Sequence, residues 1–474
     1  TTLTASVSAG EFISSTATNR VTNETSEFSG NVVAVSGAVI SGTAFEDVNY
    51  GGGAGRGWAT ASAAGGSARP GVRVELFDGT GAFVTSTATV AGGSYSFSGL
   101  GAGDYTVRVV SSSVTSSRLG SVGGLLPVQT FRTDASTGTA LGVTDQVGGL
   151  DPATADAGSA AAGWILDAAT GVFSGSGSGK AHAFSPVTVG AADVGGVDFG
   201  FNFDTIVNVS NSGQGSLRQL LTNADTLGAD VLLAQAGRTA GIENAIFMIS
   251  NGTAAPGLRA SNNYFAGGVA TISPTSVLPP VTQPLILDAQ TQPGWTSVPI
   301  VELNGSGVGS HGLTISAGSS TVRGFVINRF GQWGIYLSSG GSNIVQGNYL
   351  GTNAAGTAAA GTQRGMMVWT GSSANVVGGA GSSERNLTSG NNLEGIRIEG
   401  SGTDGTVVRG NYSGTDVPGT VALGNQNGVG IHSASKSNVT ESPMKTSSAT
   451  WIESPRLPVA LMDVPLAILK SPAK

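Results

Sequence analysis

The string V-x-G-N-Y-x-G-T is written twice in this chain, as VQGNYLGT at 345–352 and as VRGNYSGT at 408–415. A motif repeated within one chain points to a fold made of copies, each solving the same local packing problem. Alignment of the surrounding sequence on its Val, Gly and Asn positions gives four units, at 321–342, 343–374, 375–404 and 405–437. The units differ in length, which suits a solenoid whose loops vary on one side. None holds a sustained 3.6-residue hydrophobic period, so helical repeats are excluded. Short Val-rich strands with a glycine at a corner predict a parallel β-helix.

Alternation along the strands resolves into columns. Ile335, Met366, Ile396 and Val429 are expected to stack inward, with Leu337, Val368, Ile398 and Ile431 two residues on. Val322, Val345 and Val408 form a further inward column. Like side chains lying over like at the ~4.8 Å strand spacing would bury one another. Asn348 and Asn411 fall at one corner, where a ladder of buried amides can satisfy turn backbone groups. The neighbouring Gly347 and Gly410 admit backbone angles closed to other residues. Upstream, Ser216 is a candidate N-cap for a helix that puts Leu217, Leu220, Leu221 and Ala224 on one face. A short helix there would plug the open end of the coil. The pattern stops after Asn438. Residues 440–474 contain no Gly and more Pro and Lys, and are expected to form a poorly ordered tail foreign to the repeat.

The first part of the chain follows another period. Residues 1–35 read as a polar leader or linker. From Val39 onward, Val72, Val74 and Leu76 alternate with Arg73, Glu75 and Phe77, and Tyr95 and Phe97 alternate with Ser. Tyr105, Val107 and Val109 alternate with Thr and Arg. Period-2 strands closed by turn residues predict an antiparallel sandwich over 36–205. VDFGFNF (197–203) reads as a returning strand, which leaves about 111–195 as a long Gly- and Ala-rich insertion. The chain is therefore expected to be all-β. An immunoglobulin-like sandwich is followed by a right-handed parallel β-helix solenoid, 206–439, with a short N-terminal capping helix.

SGTAFEDVN (41–49), PGVRVELFDGTG (70–81) and GSYSFSGLGAGDYTVRV (93–109) resemble the SdrD B-like family of bacterial surface modules. VxGNYxGT and RNLTSGN resemble the right-handed β-helix repeats of the pectin-lyase-like architecture, over roughly 275–439. These resemblances imply a secreted or cell-surface bacterial protein, with any export signal outside this sequence. In the SdrD B-like family, a D-x-N start opens a calcium loop. Asp47 and Asn49 match it, but Gly51, Gly52 and Gly53 follow where further carboxylates are needed.

Net charge is −7, from 22 basic and 29 acidic residues. With no basic cluster, nucleic acid is not an expected partner. The absence of Cys excludes disulfides and thiolate metal sites. No apolar run is long enough to span a membrane as a helix. Asp145, Asp151 and Asp156 match no metal loop and read as solvated loop carboxylates. On the outward side of the coil, Tyr336, Met367, Arg397 and Gly430 form one column. Ser338, Trp369, Glu399 and His432 form the next. Aromatic faces and planar polar groups suit sugar rings and hydroxyls. Tyr336, Trp369, Arg397, Glu399 and His432 are thus the candidate glycan-binding residues of a structural or adhesive module. The alternative is a polysaccharide lyase or glycoside hydrolase on the same scaffold. Glu394, Glu399, Asp404 and Asp416 form no repeated acidic pair, and His182, His311 and His432 are isolated in sequence, so the reading leans away from an enzyme.

Overall fold

The computed structural model describes residues 37–432 except 119, 122, 229–232 and 236, together with residue 438 and short pieces towards both ends. The chain is nearly all β, with two α-helices among the described residues, Trp58–Ala63 and Leu217–Leu227. Within the polar leader, Phe12–Ile13 and Val32–Val33 pair as an antiparallel ribbon.

Two sheets build the first part. One runs Ala183–Val189, Gly103–Val109, Arg73–Asp78, Phe83–Ala88, all antiparallel. The other centres on Ala38–Glu46, which pairs with Ser94–Leu100, with Ser67–Ala68 and, in parallel, with Phe199–Asn202. Ile40, Phe97, Phe199 and Phe201 of one sheet share a buried cluster with Val74, Leu76, Val107 and Val187 of the other. The returning strand read at 197–203 is thus in place.

Residues 111–195, read from the sequence as an insertion, have a larger part than that. Val128–Asp134 pairs with Phe199–Asn202, and Ala183–Val189 pairs along the whole of Gly103–Val109. The rest lies over the outer face of the four-stranded sheet, where Phe77 joins Leu166, Phe173 and Phe184 in a second cluster. Period-2 alternation predicts that Phe77 and Glu75 face solvent, yet both are wholly buried. Beneath this cover, Arg108 donates to Glu75 Oε2 at 2.7 Å, to Asp156 Oδ1 at 3.1 Å and to the Gly158 carbonyl at 3.0 Å. Asp156 is therefore a buried structural partner and not a solvated carboxylate. Its Oδ2 also accepts from the Ser111 amide at 2.8 Å. Asp151 pairs with Lys180, and of the three acids Asp145 is exposed.

After Thr205 the chain passes in turn through three parallel sheets. One circuit is Thr321–Arg323, Phe325–Asn328, Trp333–Leu337; the next is Ile344–Gln346, Tyr349–Leu350, Arg364–Val368. Register puts Ile335 beside Met366, Met366 beside Ile396 and Ile396 beside Val429, all without solvent exposure. Leu337, Val368, Ile398 and Ile431 align in the same sheet. In the first sheet Val322, Val345, Val377 and Val408 align, so the skipped circuit supplies Val377.

The motif lies at the corner between the first and second sheets. Gly347 and Gly410 hold φ of 65° and 67°. Asn348 Oδ1 accepts from the Phe325 amide at 3.1 Å, and its Nδ2 donates to the Val322 carbonyl at 2.9 Å. Asn386 Oδ1 accepts from both the backbone and the side chain of Asn348, at 3.0 and 3.1 Å. Asn411 does the same for Asn386, at 3.1 and 2.9 Å. The skipped circuit keeps its rung through Asn386, reached after a loop at 379–385. Amide ladders at the other two corners, Asn343 to Asn375 and Asn391 to Asn425, have no counterpart in the sequence reading.

Leu217–Leu227 is capped by Ser216 Oγ, which accepts from the Gln219 amide at 3.1 Å. Leu217, Leu220, Leu221 and Ala224 join the same cluster as the coil's interior. At the other end, the first residues of the tail expected from residue 440 continue the three sheets. Val439–Glu441, Lys445–Thr446 and Ala449–Ile452 add one strand to each sheet, and 453–474 lie outside the described residues.

The two parts are joined by buried groups. Tyr50, Val128 and Val147 pack with Val207, Ile246, Met248 and Leu258. Arg118 reaches across to Asp204 at 3.0 Å and to Glu243, with all three side chains nearly inaccessible. Arg259 donates to the carbonyls of Asp145, Gly149 and Leu150.

Candidate functional site

The outer face of the third sheet carries the residues singled out from the sequence. Register places Tyr336 beside Met367, Met367 beside Arg397, and Arg397 beside Gly430. Glu399 lies beside His432. The face divides into two halves.

One half is aromatic. The rings of His311 and Trp333 stack at 4.4 Å with 16° between planes, and Tyr336 lies 4.8 Å from each. Burial keeps the His311 imidazolium disfavoured and pushes the Tyr336 hydroxyl up. His311 Nδ1 and Trp333 Nε1 are buried without a hydrogen-bond partner. Trp369 stands 36% exposed, the most open aromatic ring of the face.

The other half is charged. Glu394 accepts from Arg364 Nε at 2.6 Å and from Arg397 Nη1 at 2.7 Å, while Arg397 Nε donates to Glu399 at 2.6 Å. His432 Nε2 lies 3.8 Å from Glu394 Oε1. Burial alone would raise Glu394, but the bond to Arg364 and the charges of Arg364 and Arg397 hold it below the usual carboxylate value. Glu394 therefore stays ionised at neutral pH and holds both arginines by hydrogen bonds. Such a pre-paired network can bind hydroxyl pairs with little further ordering.

Arg397, Glu399 and His432 are thus brought together, Tyr336 belongs to the neighbouring stack, and Trp369 lies on the same face. Sequence reasoning missed Trp333 and Arg364, and weighed Glu394 and His311 for catalysis alone before setting them aside. By alternation Trp333 shares the inward parity of Ile335 and Leu337. At the head of its strand it escapes that parity and half emerges. His311 lies before a strand and gave no periodic signal.

Asp47 and Asn49 do not fit a calcium ion. The Asp47 carboxylate is bound by two nitrogens of Arg56. Asn49 donates to the Ala64 carbonyl at 2.8 Å and accepts from the Ala234 amide at 2.7 Å. Among the described residues, no group of three or more His, Asp or Glu side chains is placed to hold a metal. No described helix is long and apolar enough to cross a membrane.

Comparison with known proteins adds little. No family model matches the chain, and no curated protein does. Among solved structures, a variant of BcpA, the major pilin subunit of Bacillus cereus, is similar at 19% identity with a TM-score of 0.16. That match covers 24% of this chain, and the chain spans about a third, 32%, of the pilin structure. A likeness at this level carries no argument about fold or function.

Proposed function

We propose that the chain is a structural and adhesive module of a secreted or cell-surface bacterial protein, and that it binds glycans on the outer face of its third sheet. In this reading residues 36–205 are an SdrD B-like, immunoglobulin-like sandwich. Residues 206–439 are a right-handed, pectin-lyase-like parallel β-helix closed by the Leu217–Leu227 helix. The buried contacts of Arg118 and Arg259 join the two parts.

The observation that supports glycan binding is the stack of His311, Trp333 and Tyr336 beside the arginine–glutamate network. Aromatic faces take the apolar side of a pyranose, and pre-ordered guanidinium and carboxylate groups take its hydroxyls. The lyase or hydrolase alternative gains no support from this face. Glu394, held below the usual value, is not poised to keep a proton for a leaving group.

A glycan array probed with the intact chain tests the reading. Binding to at least one oligosaccharide is expected, about tenfold weaker in Trp369→Ala, a loss of about 1.4 kcal/mol. Unchanged binding in that variant removes Trp369 from the site. Release of unsaturated products from pectate, followed by absorbance, would overturn the adhesive reading in favour of a lyase.

A further inference from the structure

The V-x-G-N part of the motif is used up by the corner and its amide ladder. The tyrosine that follows is not. Tyr349 and Tyr412 point away from the coil's core, on the outer face of the second sheet, with Leu387 in register between them. They line a cleft of about 290 Å³, together with Gln290, Trp295, Arg385 and Val417. Two irregular segments complete it. The loop at 379–385 delivers Arg385, and the stretch after Asp288 delivers Gln290 and Trp295.

Two polar side chains of this cleft, Arg385 and Gln290, keep hydrogen-bonding groups unused among the described residues. The Arg385 guanidinium lies 4.0 Å above the Tyr412 ring, and its Nε donates to the Gly410 carbonyl at 3.1 Å. Nη1 and Nη2 have no partner among the described residues, and no described carboxylate pairs with this arginine. The Gln290 side-chain amide likewise bonds to no described residue. An arginine held over an aromatic ring with its terminal nitrogens free can receive a planar anion through two parallel hydrogen bonds.

We propose that this cleft binds one acidic sugar residue, its carboxylate on Arg385, its hydroxyls on Gln290, and its apolar face on the Trp295 side chain. Among the described residues that line the cleft Arg385 is the one cation, and its charge matches the single charge of a uronate. A phosphate, nearly doubly charged at neutral pH, would be left half neutralised. The volume lies at the lower end of the small-ligand range, about 300 Å³ upward, so one or two rings fill it. The cleft lies on a different sheet from the face of Tyr336 and Trp369, so the two sites can be tested apart.

Isothermal titration of the full chain with digalacturonate, and with galactobiose as its neutral counterpart, tests the assignment. Digalacturonate is expected to bind at one site, with galactobiose at least about tenfold weaker. Arg385→Gln should lower the acidic ligand's affinity by at least about tenfold. The milder Gln290→Ala should lower it by about threefold, and Trp369→Ala should leave it unchanged. Circular dichroism of each variant checks that the fold is kept. Equal affinity for the two disaccharides, no heat with digalacturonate, or full affinity in folded Arg385→Gln would each overturn the proposal. So would loss of binding in Trp369→Ala, which would move the acidic ligand to the third sheet.

Discussion

Individual residues in this coil are constrained by hydrogen-bond supply more than by volume. Asn386 is wholly buried and serves four backbone or amide groups, accepting from Asn348 twice, donating to the Val345 carbonyl at 2.8 Å and donating to Asn411 at 2.9 Å. An apolar side chain there leaves at least two buried backbone groups, the Asn348 amide and the Val345 carbonyl, without a partner. Each orphan costs about 1–3 kcal/mol, so Asn386→Ala is expected to lose about 2–5 kcal/mol in denaturant unfolding. Asn353→Ala, in an exposed loop where the side chain caps only its own turn, should cost under about 1 kcal/mol. At Asp47 the same scale gives a further expectation. Because Arg56 already neutralises the carboxylate, millimolar calcium should leave the melting temperature unchanged; a rise of several degrees would show an ion displacing the arginine.

At the level of elements, the helix Leu217–Leu227 shows how a short segment gains stability from what it covers. Eleven residues are marginal as an isolated helix. Leu217, Leu220, Leu221 and Ala224 are buried in the cluster that continues through the coil, so the helix is fixed by tertiary contact. Leu221→Ala is expected to destabilise by about 2–5 kcal/mol, read from urea midpoints at unchanged slope. Ser216→Ala, which removes only the cap, should cost about 1 kcal/mol. The strands of the first part of the chain teach the opposite lesson. Alternation identified the inward side chains Val72, Val74 and Leu76 correctly. It could not reveal that a distant segment, 157–184, buries the other face as well.

For the molecule as a whole, the junction around Arg118 makes stability depend on pH. Burial pushes Glu243 well above its ordinary value of 4.5, and the neighbouring Asp204 adds to this against the opposing pull of Arg118. Burial raises Glu46 in the same region, opposed by its bonds to Ser116 and Ser117. A carboxyl with a raised folded pKa binds more protons folded than unfolded above its ordinary pKa, so stability falls as pH rises through that window. His182, lowered by burial, works in the opposite sense below its ordinary value of 6.5. The clean measurement is therefore a difference. Between roughly pH 5 and pH 8, the native chain should lose melting temperature relative to Glu243→Gln. Parallel curves would show that Glu243 is ionised in the fold.

The sequence by itself determined the local and periodic part of this protein. It gave the inward columns, the corner glycines, the Asn348–Asn411 rung and the capped helix, because each depends on nearest neighbours along the chain or on an identical neighbour one circuit away. Only the tertiary structure decided the rest. It placed Asn386 in the ladder after a loop of no fixed length, turned Trp333 outward to meet His311, and made 111–195 part of both sheets. It also left the tyrosines of the motif facing a cleft closed by Arg385 and Trp295. These contacts join segments of different period and wide separation, and no spacing rule within one repeat unit records which of them will meet.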